Sequence, residues 1–309
     1  MKISILGAGN VGGTTALRLA HENVGELVLF DIVSGLAKGK VMDMLDARLL
    51  VKTNYALIGT EDVKEIKDSD IVVITAGLAR KPGMTREELL AKNAQILKGL
   101  CLNIRELAPD SVVVVVTNPL DAMTYLVHKS TKFDSNKVIG MGASLDAARL
   151  ANLISEDLNI PVTDVEPCVI GVHGEGMLPM PRFTTVKGVT LEEFFSEEQL
   201  KALLSKTINR GAQIVSHLGS GSAFYAPSAA IASLVLAIAK DEKRTIAVSA
   251  LLQGEYGAKD VCVGVPCRIG RSGIENIIEL DLNEKEKAAF SAAVSYVHSN
   301  IKLLADFIS

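Results

Sequence analysis

The segment LARKPGMTRE, residues 78 to 87, carries Arg80 and Arg86 six residues apart around Pro82-Gly83. Two fixed positive charges on one loop read either as a solvated basic turn or as a grip on a doubly negative small molecule. In GMGASLDAARL, Asp146 and Arg149 stand at i and i+3, so on a helix both side chains project from one face. On spacing alone this is an intrahelical ion pair, a common arrangement that contributes little by itself. Of the five histidines, His21, His128, His217 and His298 fall in helical patterns, where a packing or surface role is the default. His173 differs, because in VIGVHGEGMLP it follows a strand pattern and is flanked by Gly171 and Gly174, where backbone can approach a ligand. It is the candidate acid/base. Asn118, in TNPLD, can hold a polar ligand group or belong to an Asn-Pro turn in which Asp121 caps the next helix, and both readings stay open.

A second kind of chemistry is written near the start. ILGAGNVGGTTALRLA carries G-x-G-x-x-G as Gly7, Gly9 and Gly12, directly after a strand pattern and opening a helix pattern. Gly7 permits a tight turn, Gly9 lets a pyrophosphate approach the backbone, Gly12 allows close helix packing, and the helix N-terminus offers amide donors. Asp31 ends the next strand pattern, where a carboxylate accepts hydrogen bonds from an adenosine ribose and repels a 2′-phosphate. No Lys or Arg follows before Lys38, so NAD is favoured over NADP.

The elements that must position these residues are legible as rhythm. Apolar runs without alternation recur at 2 to 6, 26 to 30, 70 to 75, 111 to 117 and 137 to 141. Continuous β-branched runs suit strands covered on both faces, with helices between them, as in a doubly wound parallel sheet. After about residue 150 longer helical patterns appear at 191 to 218 and 283 to 307, with short strands around 261 to 278, predicting a second, α+β domain. The expected division is an NAD-binding Rossmann-type domain over 1–143 and a substrate-binding and catalytic domain over 144–309. The carboxyl ends of the first-domain strands are where a ligand should lie.

Composition excludes several alternatives. With 32 Lys and Arg against 36 Asp and Glu, the formal charge is -4 and no long run of one sign occurs, which argues against a nucleic-acid partner. Cys101, Cys168, Cys262 and Cys267 form no C-x-x-C pair and read as reduced packing residues, so a cytoplasmic setting is expected. Gly7, Gly9 and Asn10 interrupt the start before it can serve as a signal segment. The longest nearly apolar run, 229 to 239, has 11 residues, too few for the roughly 20 that cross a bilayer, and should be a buried helix.

Taken in order, GAGNVGGTTA, LFD, TAGLARKPGMTR, TNPLD, GMGASLDAARL, GVHGEGMLP, SGSAFYAPS and GVPCRIGRSG resemble the lactate/malate dehydrogenase family over essentially the whole chain. They are most similar to its lactate-dehydrogenase-like bacterial malate dehydrogenases. The resemblance implies reversible hydride transfer between malate and NAD, giving oxaloacetate, with no metal, in a homodimer or homotetramer. It implies that His173 is the proton donor and acceptor, and that Asp146 orients it and stabilises the imidazolium. Arg149 then grips the carboxylate beside the reacting carbon, Arg86 polarises the carbonyl, and Asn118 helps to place substrate and nicotinamide. Arg80 falls where an arginine goes with malate and a glutamine with lactate. NAD would be held by Gly7, Gly9, Asn10, Val11, Gly12, Asp31, Thr75, Ala76, Gly77, Asn93, Thr117 and Asn118. Two departures are visible: Gly174-Glu175 where the family usually has Gly-Asp, and GMGAS ahead of Leu145. A lactate or other 2-hydroxy acid dehydrogenase is the same-class alternative, and a non-catalytic NAD(H)-binding redox sensor is the alternative of a different class.

Overall fold

The computed structural model describes residues 1–78 and 83–308, so Arg80, with the rest of 79–82, lies outside the described residues. Six parallel strands run in the order β3-β2-β1-β4-β5-β6: β1 (Lys2–Leu6), β2 (Glu26–Phe30), β3 (Leu57–Thr60), β4 (Ile71–Ile74), β5 (Val112–Val115) and β6 (Val138–Gly140). The β-branched runs sit where both faces are covered, and every residue of β4 and β5 is buried. That double burial is why those stretches lack polar alternation. Strand β3 corresponds to none of the apolar runs visible in the sequence.

Helices α1 (Asn10–His21), α2 (Leu36–Asp46), α3 (Arg48–Val51), α4 (Arg86–Leu107), α5 (Leu120–Thr131) and α6 (Ala143–Leu158) lie between and after these strands. One apolar layer joins Ile3, Ile5, Val73 and Val114 of the sheet to Ala16 and Leu19 of α1. The opposite layer joins Ile74, Val113 and Val115 to Leu90, Leu97 and Ile104 of α4 and to Met123 and Leu126 of α5.

The second half contributes β7 (Val165–Glu166), β8 (Val169–Gly171), β9 (Met177–Pro179), β10 (Thr185–Val186), β11 (Val189–Thr190), β12 (Arg244–Gln253), β13 (Lys259–Gly270) and β14 (Gly273–Ile277). Its helices are α7 (Glu197–Leu218), α8 (Tyr225–Ala239), α9 (Glu284–Lys302) and α10 (Ala305–Ile308). Strands β7, β10 and β11 form a small separate sheet. The others do not: β12 pairs antiparallel with β6 through Ser249 and Gly140, so the parallel sheet continues into β12, β13, β8 and β9. A Cβ on Gly140 would stand 2.7 Å from the Cβ of Ser249, so only glycine lets these two backbones approach.

The apolar run 229 to 239 lies within α8, with Ile231, Leu234, Val235 and Ile238 at most 1% exposed in the same layer as α1. These four side chains are used inside the chain, while Ala229, Ala230, Leu236 and Ala239 of the same run are only half-buried. No helix among the described residues is long and apolar enough to cross a membrane.

Candidate active site

The glycine-rich turn folds as its residue types require. Gly7 has φ of 112°, a region costly for side chains, and a Cβ on Gly12 would overlap the Gly7 carbonyl oxygen and lie 2.6 Å from Thr75 Oγ1. Gly9 faces open space, and the amides opening α1 at Asn10 and Val11 receive no side-chain cap. An exposed turn with uncapped amides fits an anionic pyrophosphate. Asp31 accepts the main-chain N–H groups of Ala8 (2.6 Å) and Val33 (2.9 Å), so the carboxylate at the end of β2 also fixes this turn. Lys38 pairs with Glu61 at 3.7 Å. Lys40, which no sequence motif singled out, donates to the Gly9 carbonyl at 3.1 Å and sets a cation at the turn.

Thr75, Ala76, Gly77, Thr117 and Asn118 lie just beyond the carboxyl ends of β4 and β5. Thr117 Oγ1 donates to the Ala76 carbonyl at 2.6 Å. Asn93, fully buried on α4, accepts the Leu78 N–H at 2.8 Å and donates to the carbonyls of Leu78 (3.2 Å) and Asn118 (2.7 Å). Its amide is committed to clamping the two loops together. The Asn118 side chain is exposed at the rim.

The acid/base candidates come together from distant segments. His173 follows β8, Asp146 and Arg149 sit on α6, and the ring Nδ1 of His173 lies 2.7 Å from Asp146 Oδ2. Asp146 Oδ1 accepts from Arg149 Nη1 at 3.2 Å, so one buried carboxylate serves both residues. Gly142 makes this possible, since a Cβ there would overlap Leu120 Cδ2 and stand 2.8 Å from the Cβ of His173. Burial acts most strongly on the His173 ring and disfavours its charge, as does Arg149. Asp146, by charge and hydrogen bond, and Asp121 outweigh them, and the ring's pKa is raised above 6.5. Arg149 is nearly buried, and its Nε has no hydrogen-bond partner among the described residues. A guanidinium left partly unsatisfied beside a histidine suits an incoming carboxylate.

Two residues fall in places the sequence did not disclose. Asp121 does not cap α5: its carboxylate accepts the main-chain N–H of His173 at 2.9 Å and the Ser249 hydroxyl at 2.6 Å. Arg86, the first residue of α4, pairs with Glu175 at 2.6 Å and donates to the Tyr296 hydroxyl at 3.4 Å. Its backbone is set by a capping box in which Thr85 and Glu88 satisfy each other's amides.

Residues 1–140 match the lactate/malate dehydrogenase NAD binding domain, and residues 143–308 match the alpha/beta C-terminal domain of the same family. The chain belongs to the lactate/malate dehydrogenase family. Among its family relatives, the malate dehydrogenase of Methanosarcina barkeri is 47% identical over 98% of this chain and 99% of that one. The solved malate dehydrogenase of Aeropyrum pernix superposes with a TM-score of 0.96 at 41% identity, covering 99% of this chain and 100% of that one. A lactate dehydrogenase of the family from Cryptosporidium parvum, solved with lactic acid and NAD, gives 0.95 at 34% identity over 98% of this chain and 97% of that one.

Proposed function

We propose that the protein is an NAD-dependent malate dehydrogenase interconverting malate and oxaloacetate. The observation that carries the reading is the single buried carboxylate of Asp146, shared between the ring of His173 and the partly unsatisfied guanidinium of Arg149. In the proposed site Gly7, Gly9, Asn10, Val11, Gly12 and Asp31 hold the adenosine and pyrophosphate side of NAD, while Thr75, Ala76, Gly77, Asn93, Thr117 and Asn118 shape the nicotinamide side. NAD, when bound, supplies the hydride acceptor, and NADH the donor.

The chain's own residues do the rest. Arg149 binds the carboxylate next to the reacting carbon bidentately, completing the donors left over from Asp146. With Nδ1 held by Asp146, His173 uses Nε2 to take the hydroxyl proton in malate oxidation and to return it in oxaloacetate reduction. Asp146 holds the ring and balances its charge. Arg86 offers a positive charge to the substrate oxygen on which negative charge develops, and Asn118 orients the substrate. Arg80, outside the described residues, is assigned the second carboxylate of the dicarboxylic substrate from its place in the sequence. The domain boundary of 143/144 belongs to the same reading.

Met42, Leu49 and Leu50, 66%, 85% and 82% exposed, gather on α2 and α3. Exposed apolar side chains grouped in this way suit a second copy, so a homodimer or homotetramer is proposed. Four free cysteines, three of them buried, support a cytoplasmic setting. The test of the function is NADH oxidation with oxaloacetate, pyruvate and 2-oxoglutarate in parallel. Preference for oxaloacetate is expected; preference for pyruvate would make this a lactate dehydrogenase, and no turnover with any would leave an NAD(H)-binding sensor.

A further inference from the structure

A second carboxylate stands at the rim where Asp31 ends β2. The main-chain N–H of Asp31 donates to the Thr60 carbonyl at 3.1 Å, which sets the ends of β2 and β3 side by side, and the residue after Thr60 is Glu61. Glu61 reaches across this edge to the start of α2. Its Oε1 accepts the main-chain N–H of Gly35 at 2.8 Å and lies 3.7 Å from Lys38 Nζ. Gly35, with φ of 74°, opens α2 and has no side chain with which to cap it. The Gly35 amide holds the Glu61 carboxyl below the usual carboxylate range; partial burial opposes this, and Lys38 and the Ser34 hydroxyl add to it.

The amino end of a helix carries a positive partial charge and spare amides, and it is a ready acceptor for a phosphate. NADP differs from NAD by a 2′-phosphate on the adenosine ribose, a group of about -1.5 to -2 charge at neutral pH. The amino end of α2 and Lys38 in its first turn are the positive features that follow Asp31 along the chain. Lys40, the next cation, donates to the Gly9 carbonyl on the pyrophosphate side. We infer that Glu61 is a second determinant of coenzyme choice: it fills the amino end of α2 and engages Lys38, so that a 2′-phosphate meets two carboxylates and finds the nearby cation already paired. Discrimination then comes from repelling the wrong coenzyme as well as from holding the right one. No motif marks Glu61, whose partner Gly35 is 26 residues away.

The inference rests on placing the adenosine ribose at Asp31, and the experiment separates the two. Dissociation constants for NAD and NADP are measured by calorimetry, without turnover, for the wild type, Asp31→Ser, Glu61→Gln, Glu61→Lys and the double variant Glu61→Gln with Lys38→Gln. Glutamine keeps an acceptor oxygen for Gly35 and removes only the charge. In Glu61→Gln the Kd for NADP should fall by about fivefold, the equivalent of one exposed charge contact, and in Glu61→Lys by roughly 25-fold. Raising the salt concentration should shrink both gains, as it does for exposed charges. Adding Lys38→Gln should take back part of the gain. An unmoved Kd for NADP in both Glu61 variants overturns the inference. So does a weaker affinity for NAD with NADP unchanged, which would make Glu61 only a fastener of the loop. A gain that is equal at low and high salt, or undiminished without Lys38, refutes the role given to charge. If Asp31→Ser leaves both affinities unchanged, the ribose placement itself fails. If Asp31→Ser acts and the Glu61 variants do not, the placement stands and the inference falls.

Discussion

Arg86 and Glu175 meet across 89 residues of sequence, Nη2 to Oε2 at 2.6 Å, and so tie the start of α4 to the turn that carries His173. Both side chains are more than half exposed, 53% and 78%. Exposed pairs of this kind contribute only about 0–1 kcal/mol. Arg86 is thus held near the histidine by a contact weak enough to give way to a substrate oxygen. Glu175 occupies the position at which the chain departs from the family's usual Gly-Asp. In Glu175→Gln the arginine loses this competitor, and KM for oxaloacetate should fall by no more than about fivefold, the equivalent of that pair. A rise in KM would show that Glu175 presents Arg86 rather than competing for it.

Replacing His173 with Asn should leave NADH binding intact and lower turnover by roughly 100-fold or more. The wild-type pH dependence carries a sign. Because the ring's pKa is raised above 6.5, oxaloacetate reduction, which needs the protonated ring, should persist upward in pH until that raised value is passed. Malate oxidation, which needs the neutral ring, should increase as pH climbs through the same value. Parallel pH trends in the two directions would count against His173 as the proton carrier.

Gly142→Ala tests the packing that places the ring. The added Cβ would overlap Leu120 Cδ2 and press within 2.8 Å of the His173 Cβ. Overpacking of this type costs about 1–3 kcal/mol of stability. A shift of the ring by as little as 1 Å lowers kcat by up to roughly 100-fold. Thermal melting and steady-state kinetics on one preparation separate the two effects. Retention of full kcat would mean that the histidine tolerates displacement.

Arg80 is tested from its place in the sequence. Oxaloacetate has a second carboxylate that Arg149 cannot also bind, and pyruvate offers a methyl group there. Losing one partner of a buried, paired charge costs about 3–5 kcal/mol, roughly two to three and a half powers of ten. In Arg80→Gln, kcat/KM for oxaloacetate should fall by a factor of that order while pyruvate reduction rises. The same substitution at Arg86 should depress both. The specificity assignment is falsified if Arg80→Gln keeps the wild-type oxaloacetate to pyruvate ratio.

How much of this was legible follows from the range of each interaction. The runs of β1, β2, β4, β5 and β6 announce themselves because burial on both faces removes polar alternation, and the glycine turn does so because steric limits act between near neighbours. Strand β3 is hidden by its length and by Gly59, whose missing Cβ would approach the Ala37 carbonyl at 2.5 Å. Strand β12, RTIAVSALLQ, mixes alanine and leucine with β-branched residues and is a strand because β13 pairs along its length. The roles of Asp146 and Arg149 came from resemblance, since spacing alone indicated only an ion pair. A helix cap is one of the two local readings open to TNPLD, and neither discloses the role of Asp121, because its partners, His173 and Ser249, are 52 and 128 residues away. No local pattern encodes such distant partners.

The clamp made by Asn93 bears on how such a protein could be re-engineered. Its amide reads the backbone on both sides, at Leu78 where the arginine-bearing loop begins and at Asn118 on the neighbouring strand end. A loop transplanted from another 2-hydroxy acid dehydrogenase would bring new side chains but would inherit this anchor. If the graft altered the path of the chain at residue 78, the disturbance would pass through one buried amide to the rim where Asn118 stands. The natural unit of exchange is therefore the loop together with the first two turns of α4, up to and including Asn93.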